Sequence, residues 1–148
     1  MKNFTSKSQK IGEIGEDVAC KYLEKHGFFV KERNYTKKWG EIDIIVIKED
    51  KLYFIEVKSV SCELEGQNAD GESVTHVTTY GTPKQYTQFK PEENMHPWKM
   101  KRLSRTVGTY LIHNRIGNTP WQFDLLVVYL DMQKRLARVK VVENVILG

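Results

Sequence analysis

Asp43, Glu56 and Lys58 follow one another as Asp-x(12)-Glu-x-Lys. That spacing carries chemistry if the chain between the acids folds back on itself, and the intervening residues predict that it does. Two β-branched and aromatic runs, residues 42–48 and 52–57, flank the polar break Lys48-Glu49-Asp50-Lys51, which is a hairpin signal. A two-residue turn at Glu49-Asp50 sets Asp43 directly opposite Glu56, and Glu41 opposite Lys58. Directly opposed residues hold their Cβ atoms about 4.5–5.5 Å apart, where like charges repel. A divalent cation shared by the two acids relieves that repulsion, and Mg²⁺ prefers one or two carboxylates with waters and a substrate phosphate. Strand alternation sends Glu56 and Lys58 to one face, with the Val57 carbonyl between them. Such a cation neutralises charge developing on a phosphodiester and lowers the pKa of a bound water. Lys58 would orient that water or stabilise the transition state. By itself the pattern is weak, because a structural ion pair at a sheet edge produces the same letters.

The turn decides everything. Glu-Asp is not the Asn-Gly pair that two-residue hairpins favour, and one more loop residue would move the acids to opposite faces. The apolar positions support the shorter loop, which brings Ile42, Ile44 and Val46 against Val57, Ile55 and Tyr53. Toward the turn the other face is apolar as well (Ile45, Ile47, Leu52, Phe54). A hairpin apolar on both sides belongs inside a covered sheet, where unpaired acids are costly.

Two helices must frame this hairpin. The first is expected from about Ser8 to His26, with Ile11, Ile14, Val18, Tyr22 and Leu23 at helical spacing and Gly27 as its stop. At 100° per residue Glu16 falls about 140° from Ile11, at the edge of the apolar stripe rather than on the far side with Glu13 and Glu24. A carboxylate there can reach along the core boundary, although a solvated glutamate is the commoner outcome. The second helix is expected from Pro97, a favoured first-turn residue, to about Asn114, with Leu103, Val107, Tyr110 and Leu111 buried. Lys99, Lys101, Arg102 and Arg105 crowd its N-terminal half, where the helix dipole favours anions. A docked phosphate would resolve that conflict; a solvated basic face is the plain alternative. Strands are expected at Phe28–Tyr35, Trp121–Leu130 and Leu136–Val142, the last two forming a hairpin around Asp131-Met132-Gln133-Lys134. The order α-β-β-β-α-β-β gives a mixed α/β sheet flanked by helices.

The 148 residues suit one domain with its own core. The net charge of +4 conceals a division: residues 62–95 hold six acids and two lysines, leaving +8 on the remainder. A basic body attracts polyanions. Residues 62–95 read as a long polar, acidic loop, within which Val74–Tyr80 is a candidate short strand; loops of that length tend to be functional. No apolar run approaches the roughly 20 residues of a membrane helix. The N-terminus lacks the apolar core of a secretory signal, and Cys20 and Cys62 are isolated, so a cytoplasmic protein with reduced thiols is expected.

Gly15-Glu16, Asn34-Tyr35, Gly40-Glu41-Ile42-Asp43, Phe54-Ile55-Glu56-Val57-Lys58, the segment Lys99 to Leu103, and Phe123-Asp124 occur in the order seen in a known family. The chain resembles the YraN-like family of small bacterial proteins, similar in turn to archaeal Holliday-junction resolvases and so to the restriction-endonuclease-like, PD-(D/E)xK nucleases. The resemblance covers residues 9–60 and 97–130. It implies that Asp43 and Glu56 are ligands of Mg²⁺ or Mn²⁺, that Lys58 is the catalytic lysine, and that Glu16 completes the site. It further implies a metal-dependent endonuclease hydrolysing DNA, branched or structured DNA included, and a homodimer. RNA remains open as substrate, and a nucleic-acid-binding or assembly protein that keeps the fold without hydrolysis is the alternative. Three departures stand out. The 62–95 loop is longer and more acidic than the family implies, so it could gate the site, mediate dimerisation or exclude duplex substrates. Ile42 occupies a proline-like position, as is usual for this branch. Ser59 stands where a basic residue is common, which weakens a phosphate contact. Lys99 matches a recurrent helix lysine. Asp124 matches a recurrent acid, for which a hydrogen-bonded strand residue is the better expectation than a ligand.

Overall fold

Helix α1 (Lys7–Lys25) starts one residue before the predicted position, for a reason written in its flanking sequence. The Ser6 hydroxyl accepts the backbone N–H of Gln9 at 3.1 Å, and the Gln9 side chain accepts the Ser6 N–H at 2.9 Å. This reciprocal box satisfies two of the donors that every helix start leaves unpaired. At the other end Gly27, with φ 87°, closes the helix as expected.

A computed structural model describes residues 6–64 and 95–147. Most of the expected acidic loop, and the candidate strand Val74–Tyr80, lie outside the described residues. The remaining elements are β1 (Phe29–Lys37), β2 (Gly40–Lys48), β3 (Lys51–Ser61), α2 (Pro97–His113), β4 (Trp121–Asp131) and β5 (Leu136–Val142), the order that the sequence predicts. They make a mixed five-stranded sheet in the order β1-β2-β3-β4-β5, with two helices. No helix among the described residues is long and apolar enough to cross a membrane.

The described chain divides into two compact units, one comprising 6–22, 57–64 and 126–140, the other 23–56, 95–125 and 141–147. In the first, Val18 and Ala19 of α1 are fully buried, as are Leu64 and the β4 run from Leu126 to Leu130. Gly15 lets α1 lie directly on β3, since a Cβ there would collide with the Ser59 side chain. The small residue at 59 therefore has a packing role that its family position did not suggest.

The second unit holds the β1–β2–β3 ribbon beneath α2. Its core joins Tyr35, Ile45, Leu52, Phe54, Leu103, Val107, Tyr110 and Phe123, each burial contributing about 1.5–3 kcal/mol for the larger side chains. The Tyr110 ring meets Tyr35 and Phe54 edge-on, with centroids 5.2 and 5.5 Å away. Ile42 joins the same cluster, where strict alternation would have sent it to the opposite face from Ile45. Asn34, between the pairs Arg33↔Ile44 and Tyr35↔Ile42, has φ 55° and marks the departure from regular pleating.

Candidate functional site

The β2–β3 hairpin adopts the shorter loop. Its register runs from Lys48↔Lys51 through Ile47↔Leu52, Val46↔Tyr53 and Ile45↔Phe54 to Ile44↔Ile55. Glu49 and Asp50 both take left-handed backbone angles, φ 50° and 63°, the geometry of a type I′ turn. The twist match of that turn prevails over side chains that prefer other conformations. The next residues along the two strands are Asp43 and Glu56, and both line one cavity of about 550 Å³. Lys99 and Arg102 of α2, Glu41 of β2 and Trp39 of the β1–β2 turn share its wall.

Each wall position has a local cause. Gly40 allows α2 to settle on the start of β2: an added Cβ would lie 3.2 Å from the Arg102 carbonyl oxygen and closer still to the Thr106 hydroxyl. Thr106 is fully buried and donates back to that carbonyl at 2.7 Å. The bare backbone of Gly40 thus sets the height of Arg102 above the acids. Helix α2 begins with Pro97 behind the cap His96, whose Nδ1 accepts the Trp98 N–H at 3.2 Å. That fixes Lys99 in the first turn, and its ammonium forms an ion pair with Glu56. Glu56 is 8% exposed, whereas the lysine side chain is 47% exposed. Glu41 pairs with Thr36 across β1–β2, and its carboxylate accepts the Thr36 hydroxyl at 2.7 Å.

Of the expected site residues, Asp43, Glu56, Lys99 and Arg102 thus meet at one cavity. Arg105 stands beside it, its guanidinium carbon 4.2 Å from the centre of the Trp39 ring. Lys101 is exposed and is not among the cavity's lining residues. Glu16, Val57 and Lys58 belong to the other unit. There Glu16 is half-buried next to Gly15 while Glu13 is exposed, as the edge of the apolar stripe predicts; Lys58 is exposed and Val57 half-buried. Asp124 is a hydrogen-bonded strand residue: it accepts Gln122 Nε2 at 2.8 Å and the Asn144 N–H at 3.0 Å. Burial pushes its carboxyl above the ordinary range, against the lowering by those two donors. Among the described residues no group of three or more His, Cys, Asp or Glu is arranged to hold a metal ion.

Trp39 and Thr36 are wall residues that the motif did not single out, whereas Glu41 belongs to the motif itself. The signal lay in the tight β1–β2 connection, since Lys37↔Gly40 pairing leaves only Lys38 and Trp39 in the turn and aims both near Asp43. Chemically, two carboxylates sit in a recess whose rim is cationic. Such a recess takes a small cation at its floor and an anion at its rim.

The model of the uncharacterised protein family UPF0102 matches residues 15–128. A UPF0102 protein of Clostridioides difficile is 35% identical over 129 residues, covering 87% of this chain and 92% of that relative. One from Alkaliphilus oremlandii is 30% identical over 137 residues, covering 93% and 97%. One from Helicobacter hepaticus is 34% identical over 121 residues, covering 82% and 86%. The chain belongs to the uncharacterised protein family UPF0102, the YraN-like family that its motifs led us to expect.

Proposed function

We propose that this protein is a divalent-metal-dependent nuclease of the restriction-endonuclease-like, PD-(D/E)xK type, hydrolysing phosphodiester bonds in DNA, branched or structured DNA included. The observation that carries this reading is the convergence of Asp43 and Glu56 on one cavity beneath Lys99 and Arg102. Two hard carboxylates suit Mg²⁺ or Mn²⁺, which complete their shells with water and phosphate oxygens. Asp43 and Glu56, with the Val57 carbonyl, would hold the ion, which when bound supplies charge neutralisation and an acidified water. Lys58 would orient the attacking water, and Glu16 would complete the acid set. Lys99, Lys101, Arg102 and Arg105 would receive the phosphate backbone, which also answers why cations gather at the start of α2. A homodimer in the cytoplasm agrees with the resolvase resemblance.

One observation favours a second reading. Lys99 already neutralises Glu56, so the recess needs no metal to remain folded. A nucleic-acid-binding protein without hydrolysis would be served equally well by that arrangement, because function resides in the site and not the fold. The test is twofold. Calorimetry should detect Mn²⁺ binding that vanishes in Asp43→Ala and in Glu56→Ala. A panel of duplex, single-stranded, flapped and four-way DNA should be cut with Mn²⁺, with cleavage falling at least about 10³-fold in Lys58→Ala. Equal Mn²⁺ binding in the carboxylate variants removes the metal site, and binding without cleavage selects the second reading.

A further inference from the structure

We propose that Trp39 and Arg105 form a stacking platform for an unpaired nucleobase, so that the preferred substrate is single-stranded or locally opened DNA. The inference rests on the nucleic-acid reading above and names its substrate class.

Trp39 occupies the two-residue β1–β2 turn, where nothing in turn chemistry calls for a large aromatic residue. Trp39 lines the carboxylate cavity, and its Nε1–H is buried with no hydrogen-bond partner among the described residues. A buried donor left unpaired costs stability, so this position is held against a penalty. Arg105 lies over the indole at 4.2 Å, and among the described residues no ion pair is recorded for it. Among the described residues the ring is the recorded partner of this guanidinium, and Arg105 is an exposed residue. Arginine planes and aromatic rings are the surfaces on which single-stranded bases stack, and stacking tolerates any sequence because every base has a π-face. Lys37 and Lys38 flank Trp39 on the cavity wall, and Arg102 precedes Arg105 by one turn of α2. A phosphate held by these cations over the acids would leave the adjoining base level with the guanidinium. Bases inside a duplex are already stacked on one another and cannot reach it.

The platform is tested on the full chain in EDTA, with oligonucleotides carrying 2-aminopurine as the fluorescent base. Trp39→Leu should weaken single-strand binding about tenfold and abolish the quenching of 2-aminopurine, while duplex affinity changes less than about twofold. Trp39→Phe should retain both signals, which shows that the effect is stacking and not misfolding. Arg105→Lys keeps the charge but loses the plane, so quenching should fall while the salt dependence of binding stays the same. Equal loss on single strands and duplex, or undiminished quenching in Trp39→Leu, overturns the platform even if the protein cleaves DNA. Trp39-dependent quenching in a protein that never cleaves upholds it and sinks the nuclease. Failure to bind either form of DNA overturns both.

Discussion

Asp131, at the start of the β4–β5 turn, accepts the backbone N–H of Leu64 and that of Lys134, each at 3.0 Å. Glu56, also buried, meets the ammonium of a lysine that is itself nearly half exposed. The two carboxylates illustrate different ways of keeping an acid inside a protein. Around Asp131 the donors are fixed backbone groups, and Lys134 is tied down as well, since its ammonium donates to the Leu64 carbonyl at 2.8 Å. Burial alone would raise the Asp131 carboxyl, but the two backbone donors and the Lys134 charge bring it below the ordinary 3.8. Glu56 instead relies on a side chain that can swing away without disturbing the backbone. An acid whose partner is removable, at the floor of a cavity, is available for another cation; an acid bound to backbone donors is not.

Removing each acid should separate the two designs, and Asp131 gives the larger effect on folding. Asp131→Ala leaves the buried Leu64 N–H unpaired and releases the Lys134 turn, a loss of about 2–3 kcal/mol at pH 7. A group whose folded pKa is depressed contributes stability above its unfolded pKa and loses it as pH falls through the folded pKa. The deficit of the variant, measured by denaturant unfolding, should therefore shrink below pH 3.8, the unperturbed value. Glu56→Gln should change folding stability by no more than about 0.5 kcal/mol, because the exposed Lys99 side chain can move into solvent. A Glu56→Gln deficit as large as that of Asp131→Ala would make Glu56 a structural acid and break the contrast.

A smaller effect should appear at Lys99. In the absence of nucleic acid its ammonium competes with any divalent cation for Glu56. Lys99→Met should tighten Mn²⁺ binding about fivefold, corresponding to roughly 1 kcal/mol, the upper end for a partly exposed ion pair. Calorimetry without DNA is the measurement, and an affinity that falls instead would assign Lys99 to supporting the ion rather than standing in for it.

Much of this contrast was legible in the residues. The apolar positions pointed to the observed hairpin register although its turn lacks Asn-Gly, and both faces of the hairpin are buried, as Ile44 and Ile55 on one side and Ile45 and Phe54 on the other show. Pro97 announced α2, and the edge position of Glu16 announced its partial burial. Other features were legible and overlooked, such as the Ser6-x-x-Gln9 box that starts α1. The rest depends on tertiary placement. Nothing local tells that Ile42 joins the cluster under α2, that Lys99 rather than Lys101 reaches the cavity, or that Ser59 is small because Gly15 lies against it. Likewise the Arg105–Trp39 contact joins residues far apart in the chain, for which one sequence gives no signal.

Asp124 supplies the smallest and sharpest test. Where Asp131 accepts two backbone N–H groups, Asp124 accepts one, from Asn144, together with a side-chain amide, from Gln122. Unlike Asp131 it ends above the ordinary carboxyl value, because burial outweighs those donors and the Lys51 charge, and Glu143 adds to the rise. The sign of the linkage therefore reverses. An acid whose folded pKa is raised contributes stability below its unfolded pKa, and that contribution is lost as pH rises through the folded pKa. At pH 7 the Asp124 charge is a net cost. Asp124→Asn keeps an oxygen to accept both hydrogen bonds and removes the charge, so it should stabilise the fold at pH 7 by about 0.5 kcal/mol. The gain should vanish below pH 3.8, where the wild-type carboxyl is itself protonated. Asp131→Asn should instead be destabilised at pH 7, with a deficit that shrinks below pH 3.8. If both variants moved in the same direction, the number of fixed donors would not determine how this sheet holds its acids, and the reading of Glu56 as a releasable one would lose its reference point.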